Sequence, residues 1–125
     1  MQDVFDAYSI KVRSPSGNIT VVLNEDKGKL VFVQIYVGKT GSILYAWTNA
    51  VSELITTLIQ NAVSLDTIMS SLANITSDRL VKKGQVPIRS DVDAIVYALG
   101  LYKKQKFQER NNGKKTKERI ILRQG

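Results

Sequence analysis

Ile19-Thr20-Val21-Val22-Leu23-Asn24-Glu25-Asp26-Lys27-Gly28-Lys29-Leu30-Val31-Phe32-Val33-Gln34-Ile35-Tyr36-Val37 is the stretch on which the fold turns. Branched and aromatic residues dominate both sides of a polar segment, Asn24 to Gly28, whose Gly can take positive φ. The pattern predicts two antiparallel strands, Ile19–Leu23 and Leu30–Val37, joined by that turn. Only Gln34 interrupts the apolar run of the second strand, so both of its faces are expected to be covered. Towards the N-terminus, Tyr8, Ile10 and Val12 alternate with Ser9, Lys11 and Arg13, which predicts a strand over residues 4–13 with one polar face. Ser14-Pro15-Ser16-Gly17-Asn18 supplies the turn between this strand and the next. The expected opening is a three-stranded antiparallel meander.

Beyond the meander the periodicity changes from two to about 3.6. Ile43, Ala46, Trp47, Ala50, Leu54, Leu58 and Ala62 recur at helical steps, with Val51, Ile55 and Ile59 widening the stripe. A long helix over about 42–61 should lay this stripe on the sheet, with Trp47 in the core. Ser64 is placed to cap a shorter helix through Leu72, with Leu65, Ile68 and Leu72 inward. Residues 74–89 carry Gly84 and Pro87 without helical period and read as a long loop. Ser90-Asp91-Val92-Asp93 then opens a third helix as a capping box, with Val92, Ile95, Val96, Leu99 and Tyr102 as its buried stripe. Asn111-Asn112-Gly113 stops it. The fold class is α+β: the meander packed by a long helix, a short helix and a C-terminal helix. Residues 1–110 form one domain, and 111–125 a basic extension.

Charge and composition restrict what the domain can do. The chain has 125 residues, a net charge of +7, and neither cysteine nor histidine. Disulfides, thiolate or imidazole metal ligands, a Cys nucleophile and a His relay are thereby excluded. No acidic motif suggests a carboxylate-held metal, so a non-catalytic protein without cofactor is expected. No apolar run approaches the ~18 residues of a membrane span. The acidic start, Asp3 and Asp6, lacks the layout of a secretion signal, so a cytoplasmic location is expected. Residues 102–125 hold nine Lys or Arg against Glu109 and Glu118, whereas the first 101 residues balance nine against nine. Such a block is either an anion-binding surface or a solubilising tail.

Three groups of residues are candidates for binding an anionic ligand. Gly38-Lys39-Thr40-Gly41-Ser42 offers backbone N–H groups, one cation and two hydroxyls at a helix start, where the dipole favours phosphate. It lacks P-loop spacing, and a plain turn capped by Thr40 or Ser42 is the alternative. Lys103, Phe107 and Arg110 fall on one helix face, where a base could stack on Phe107 while cations meet its phosphates. A subunit interface around Phe107, with the cations solvated, is the alternative. Arg79, Lys82, Lys83 and Arg89 gather in the long loop beside the amide-rich corner at Ser90 and Asp91, either as a flap over a ligand or as a solvated loop. Asp91 and Asp93 suit the first turn of a helix better than a catalytic pair.

Taken in order, these segments resemble the TSCPD domain, a small module at the C-terminus of cobalamin-dependent ribonucleotide reductases that also stands alone. The likeness runs through Ile19 to Asp26, Val31 to Ile35 into Gly38-Lys39-Thr40-Gly41, then Asn49-Ala50, Leu54-Ile55 and Val63 to Ile68, ending at Ser90 to Ile95. It covers about residues 18–102. Where the family often places Cys-Pro, this chain has Asn74-Ile75-Thr76-Ser77 and Asp91-Val92, so no thiol or metal role carries over. A free-standing, cysteine-free member with a basic tail is most similar to the phage sponges that counter Thoeris defence. That resemblance implies binding and sequestration of a cyclic ADP-ribose-type signal, made by TIR-domain enzymes, without cleaving it. It also implies a homo-oligomer (dimer or hexamer) in the host cytoplasm and, in some members, a second symmetric site for cyclic oligonucleotides. It makes Arg79, Ser90, Asp91, Lys103, Phe107 and Arg110 the expected ligand-binding residues, with Gly38 to Ser42 as a second phosphate-binding turn. Two other functions compete: a nucleic-acid-binding accessory protein using residues 102–125 as a phosphate-tracking arm, and a regulatory partner of ribonucleotide reductase docking through Ile120-Ile121-Leu122.

Overall fold

Strand β1 (Asp6–Ser14), β2 (Gly17–Asp26) and β3 (Lys29–Val37) pair in sequence order as an antiparallel sheet in the computed structural model. The structure describes residues 6–15, 17–38, 45–73, 75, 81–83, 86–88 and 90–111. The β2–β3 turn is tighter than the sequence suggested. Asp26 pairs with Lys29, and Lys27 and Gly28 both take positive φ, 54° and 82°, as a two-residue hairpin of this twist requires. Asn24 and Glu25 are therefore strand residues, set off by a register shift between them. Alternation along β2 turns Ile19, Val21, Leu23 and Glu25 to the same side.

Helix α1 (Ala46–Gln60) follows the sheet, then α2 (Leu65–Leu72), a hairpin of β4 (Val81–Lys83) and β5 (Val86–Ile88), and α3 (Asp91–Asn111). The two short strands fall inside the stretch, 74–89, expected to be loop. Three-residue strands are too short to show a period, and Pro87 speaks against a strand, yet a two-stranded hairpin tolerates Pro because each strand has a free edge. Ser64 caps α2 by accepting the Thr67 N–H at 3.1 Å, and Ser90 caps α3 by accepting the Asp93 N–H at 2.9 Å, both as the sequence predicts. The core joins the inner sheet face (Tyr8, Val12, Ile19, Val21, Leu23, Val33, Ile35) to Ile55, Ile68, Ile88 and the Ala94, Ile95, Ala98 and Leu99 stripe of α3. Val92 and Val96, expected inside, are only half-buried because the small Ala94 and Ala98 make the close approach instead.

Helix α1 keeps Val51, Ile55 and Ile59 of the expected stripe in or against the core but turns the rest of it outwards. Thr48, Ser52 and Ile55 are buried, whereas Trp47 is 38% and Leu54 64% exposed. The cause is the surface on which the helix lies. β3 is an edge strand, and its outward N–H and C=O groups need partners. The Thr56 hydroxyl accepts the Val33 N–H at 3.0 Å and donates to the Val33 carbonyl at 3.4 Å, while the Gln60 amide donates to the Val31 carbonyl at 3.1 Å. A polar stripe faces the backbone edge, which leaves Trp47, Leu54 and Leu58 pointing outwards. Thr56→Val should therefore destabilise the protein by about 1–2 kcal/mol even though it makes the helix more apolar, because it strands the Val33 N–H. Urea denaturation checks this; a variant as stable as the parent would mean that the edge is satisfied by water.

β3 departs from expectation as well. Val33, Ile35 and Val37 are buried, but Phe32, Gln34 and Tyr36 on the other face are half-exposed, so only one face is fully covered.

Candidate functional site

The C-terminal half of α3 carries two adjacent stripes of opposite use. Tyr102, Lys106 and Glu109, at i, i+4 and i+7, turn towards the sheet; Lys103, Phe107 and Arg110, one residue on, turn away. The inner stripe forms a polar network in an otherwise apolar setting. Glu25, 2% exposed, accepts a hydrogen bond from the Tyr102 hydroxyl and another from the Lys106 ammonium at 3.1 Å. The Tyr8 hydroxyl donates to both Glu109 carboxylate oxygens at 3.0 and 3.1 Å, and Lys106 lies 3.5 Å from Glu109. The Tyr8 and Tyr102 rings meet edge to face at 5.3 Å, with the Lys106 ammonium 5.5 Å from the centre of the Tyr8 ring. The network bolts the last turns of α3 to β1 and β2.

Burial pushes the Tyr102 hydroxyl well above the ordinary tyrosine range, and the hydrogen bond to Glu25 adds to the shift. A raised folded-state pKa means that the stabilisation is whole below the unfolded value of about 10 and drains away as pH rises beyond it. Thermal stability should consequently fall steeply above about pH 10, with Tyr102→Phe showing a shallower alkaline slope from a lower starting point. Melting curves between pH 8 and 12 read the slope; parallel slopes for both proteins would refute the assignment.

The outer stripe is accessible. Phe107 is 60% exposed, and Arg110 is exposed beside it, one helical turn further on. Lys103 is committed to an ion pair with Asp66 of α2, so it holds α2 and α3 together before it meets any ligand. Ser90 and Asp91 lie at the other end of the same helix, roughly 24–30 Å away at 1.5 Å per residue. The buried Ser90 hydroxyl donates to the Ile75 carbonyl at 2.6 Å, and Asp91 accepts from the Ser14 hydroxyl at 2.9 Å. Ser14 pairs with Gly17 across the β1–β2 turn. Gly38, with φ of 118°, adjoins Gly17 and donates its N–H to the Asn18 carbonyl at 2.9 Å. Within one chain the candidate residues thus divide between two ends: Gly38, Ser90 and Asp91 at one, Phe107 and Arg110 at the other. Arg79 and Lys39, Thr40, Gly41 and Ser42 fall outside the described residues.

The sequence profile of the TSCPD domain matches residues 4–103. The chain belongs to the TSCPD domain family. Comparison with curated proteins and with solved structures finds no match to set beside it. The TSCPD match ends at residue 103, so it includes the Glu25–Tyr102 contact and excludes Phe107 and Arg110. Among the described residues of this TSCPD domain no helix is long and apolar enough to cross a membrane.

The sequence pointed to the outer stripe and, of the inner one, to Tyr102 as a buried residue, but not to its polar partners. Glu25 was hidden by its place in a polar run that reads as a turn. The signal that exposes it is the alternation from Ile19 to Glu25, once the turn is confined to Lys27 and Gly28.

Proposed function

We propose that this TSCPD domain is a non-catalytic sponge that binds a cyclic ADP-ribose-type nucleotide intact in the cytoplasm, in the manner of the phage proteins that counter Thoeris defence. The observation that carries the reading is the exposed Phe107 with the Arg110 guanidinium beside it on a helix anchored by buried polar contacts. A base stacks on the ring while the guanidinium takes a pyrophosphate oxygen pair. The lack of any Cys or His in the sequence supports sequestration over turnover. A complete site needs more than one copy: the far end of α3 from one chain meets the Gly38, Ser90 and Asp91 end of another. The outward Trp47, Leu54 and Leu58 of α1 support such association. The test is to incubate purified protein with cyclic ADP-ribose, remove free nucleotide, then heat and extract. Stoichiometric recovery of unchanged ligand is expected; a hydrolysed product or no retention defeats the proposal. Membership of the TSCPD family favours a second reading, a regulatory partner of ribonucleotide reductase, which co-purification with a reductase would support and its failure remove.

A further inference from the structure

The sheet face turned away from the helices carries a row of three side chains whose chemistry belongs together. Lys11 of β1 pairs with Thr20 of β2, and Thr20 pairs with Tyr36 of β3, so the three lie side by side across the sheet. They point away from the core face, because Val12, Val21 and Ile35, their neighbours in sequence, are buried against the helices. Lys11 is exposed and Tyr36 half-exposed, and Arg13, two residues along β1 on the same side, is exposed too. The ion pairs of the described residues engage Lys103 and Lys106, not Lys11 or Arg13. Between cation and ring, Thr20 is 8% exposed, and its Oγ1 is the one buried side-chain polar atom among the described residues with no hydrogen-bond partner. A buried hydroxyl without a partner costs stability, so its persistence in mid-sheet asks for a reason. Two strand spacings put Lys11 and Tyr36 about 10 Å apart at the backbone.

We propose that this sheet face binds one nucleotide unit: its base stacked on Tyr36, its phosphate held by Lys11 and Arg13, and its ribose hydroxyl bonded to Thr20 Oγ1 after a turn about χ1 brings that buried atom to the surface. The site uses no residue of α3 and goes beyond the sponge reading, so either can fail without the other. The unit is a free mononucleotide or part of a single strand, and the ring supplies sequence-tolerant stacking in both cases.

The test is a set of amide NMR titrations of the ¹⁵N-labelled full chain with adenosine 5′-monophosphate and, separately, with a six-nucleotide single-stranded RNA. Shifts centred on Lys11, Thr20 and Tyr36 are expected, and the arm that saturates at the lower concentration names the source. Tyr36→Ser and the pair Lys11→Glu with Arg13→Glu should each weaken binding ~10-fold or more. Glu53→Ala, at an exposed position of α1, should leave it unchanged. Thr20→Val removes the lone hydroxyl at constant shape, so it should raise the melting temperature while lowering affinity. Shifts absent from this face with both ligands, or binding that survives Tyr36→Ser and the double charge reversal, would overturn the proposal. A Thr20→Val protein that gains stability and keeps full affinity would remove Thr20 from the site.

Discussion

Glu25→Ala is expected to cost about 3 kcal/mol and to lower the melting temperature by about 10 °C. Glu25 is buried beneath α3 and is the shared acceptor of the Tyr102 hydroxyl and the Lys106 ammonium. Removing it leaves a desolvated hydroxyl without an acceptor and a cation without its nearest counter-charge. Lys106 retains Glu109 at 3.5 Å and reaches some solvent, which keeps the loss near the lower end for a broken buried pair. Glu25→Gln should fall between, since an amide oxygen can still accept from Tyr102 but no longer balances Lys106. Guanidinium denaturation measures both. A loss below about 0.5 kcal/mol for Glu25→Ala would show that water replaces the carboxylate and that the network does not anchor α3.

Phe107→Ala is expected to weaken binding of a cyclic ADP-ribose-type nucleotide roughly 10- to 100-fold, and Arg110→Glu by a comparable factor, with little change in stability. Base–aromatic stacking supplies the first factor; loss of a charge-assisted pair to phosphate, followed by repulsion, supplies the second. Both side chains are exposed on α3, so neither substitution opens a cavity or strands a buried group. Isothermal titration calorimetry gives the affinities, and a melting curve confirms that the fold is intact. Unchanged affinity in both variants would move the ligand away from the end of α3. Combining Phe107→Ala with Glu25→Ala separates direct contact from positioning: Glu25→Ala acts only through the helix it anchors.

Much of the architecture was readable from local pattern. Alternation from Tyr8 to Arg13 and the branched residues around Lys27-Gly28 marked the meander, while Ser64 and Ser90 marked two helix starts through capping chemistry. These signals are local because a strand pleat, a turn and a cap are each settled within a few residues. Of the candidate site, the outer stripe Lys103, Phe107 and Arg110 was legible from helical spacing. The commitment of Lys103 to Asp66 was not, since the two are far apart in sequence and meet only when α2 packs on α3.

From composition and spacing alone came the α+β class, the order of the described elements other than the β4–β5 hairpin, the absence of thiol and imidazole chemistry and the concentration of positive charge after residue 102. Of the buried face of α1 that reading had Val51, Ile55 and Ile59, but not Thr48 and Ser52. Periodicity assumes that a helix packs on side chains alone, whereas α1 sets Ile55 in the core and also lies along the backbone edge of β3, where a hydroxyl and an amide satisfy the strand better than leucines can. Tertiary pairing likewise moved Glu25 from a presumed turn into the core, where a carboxylate persists because Tyr102 and Lys106 arrive from a helix more than seventy residues away. It also left Lys11, Thr20 and Tyr36 in one row on an open face, a juxtaposition of three strands that no single segment contains.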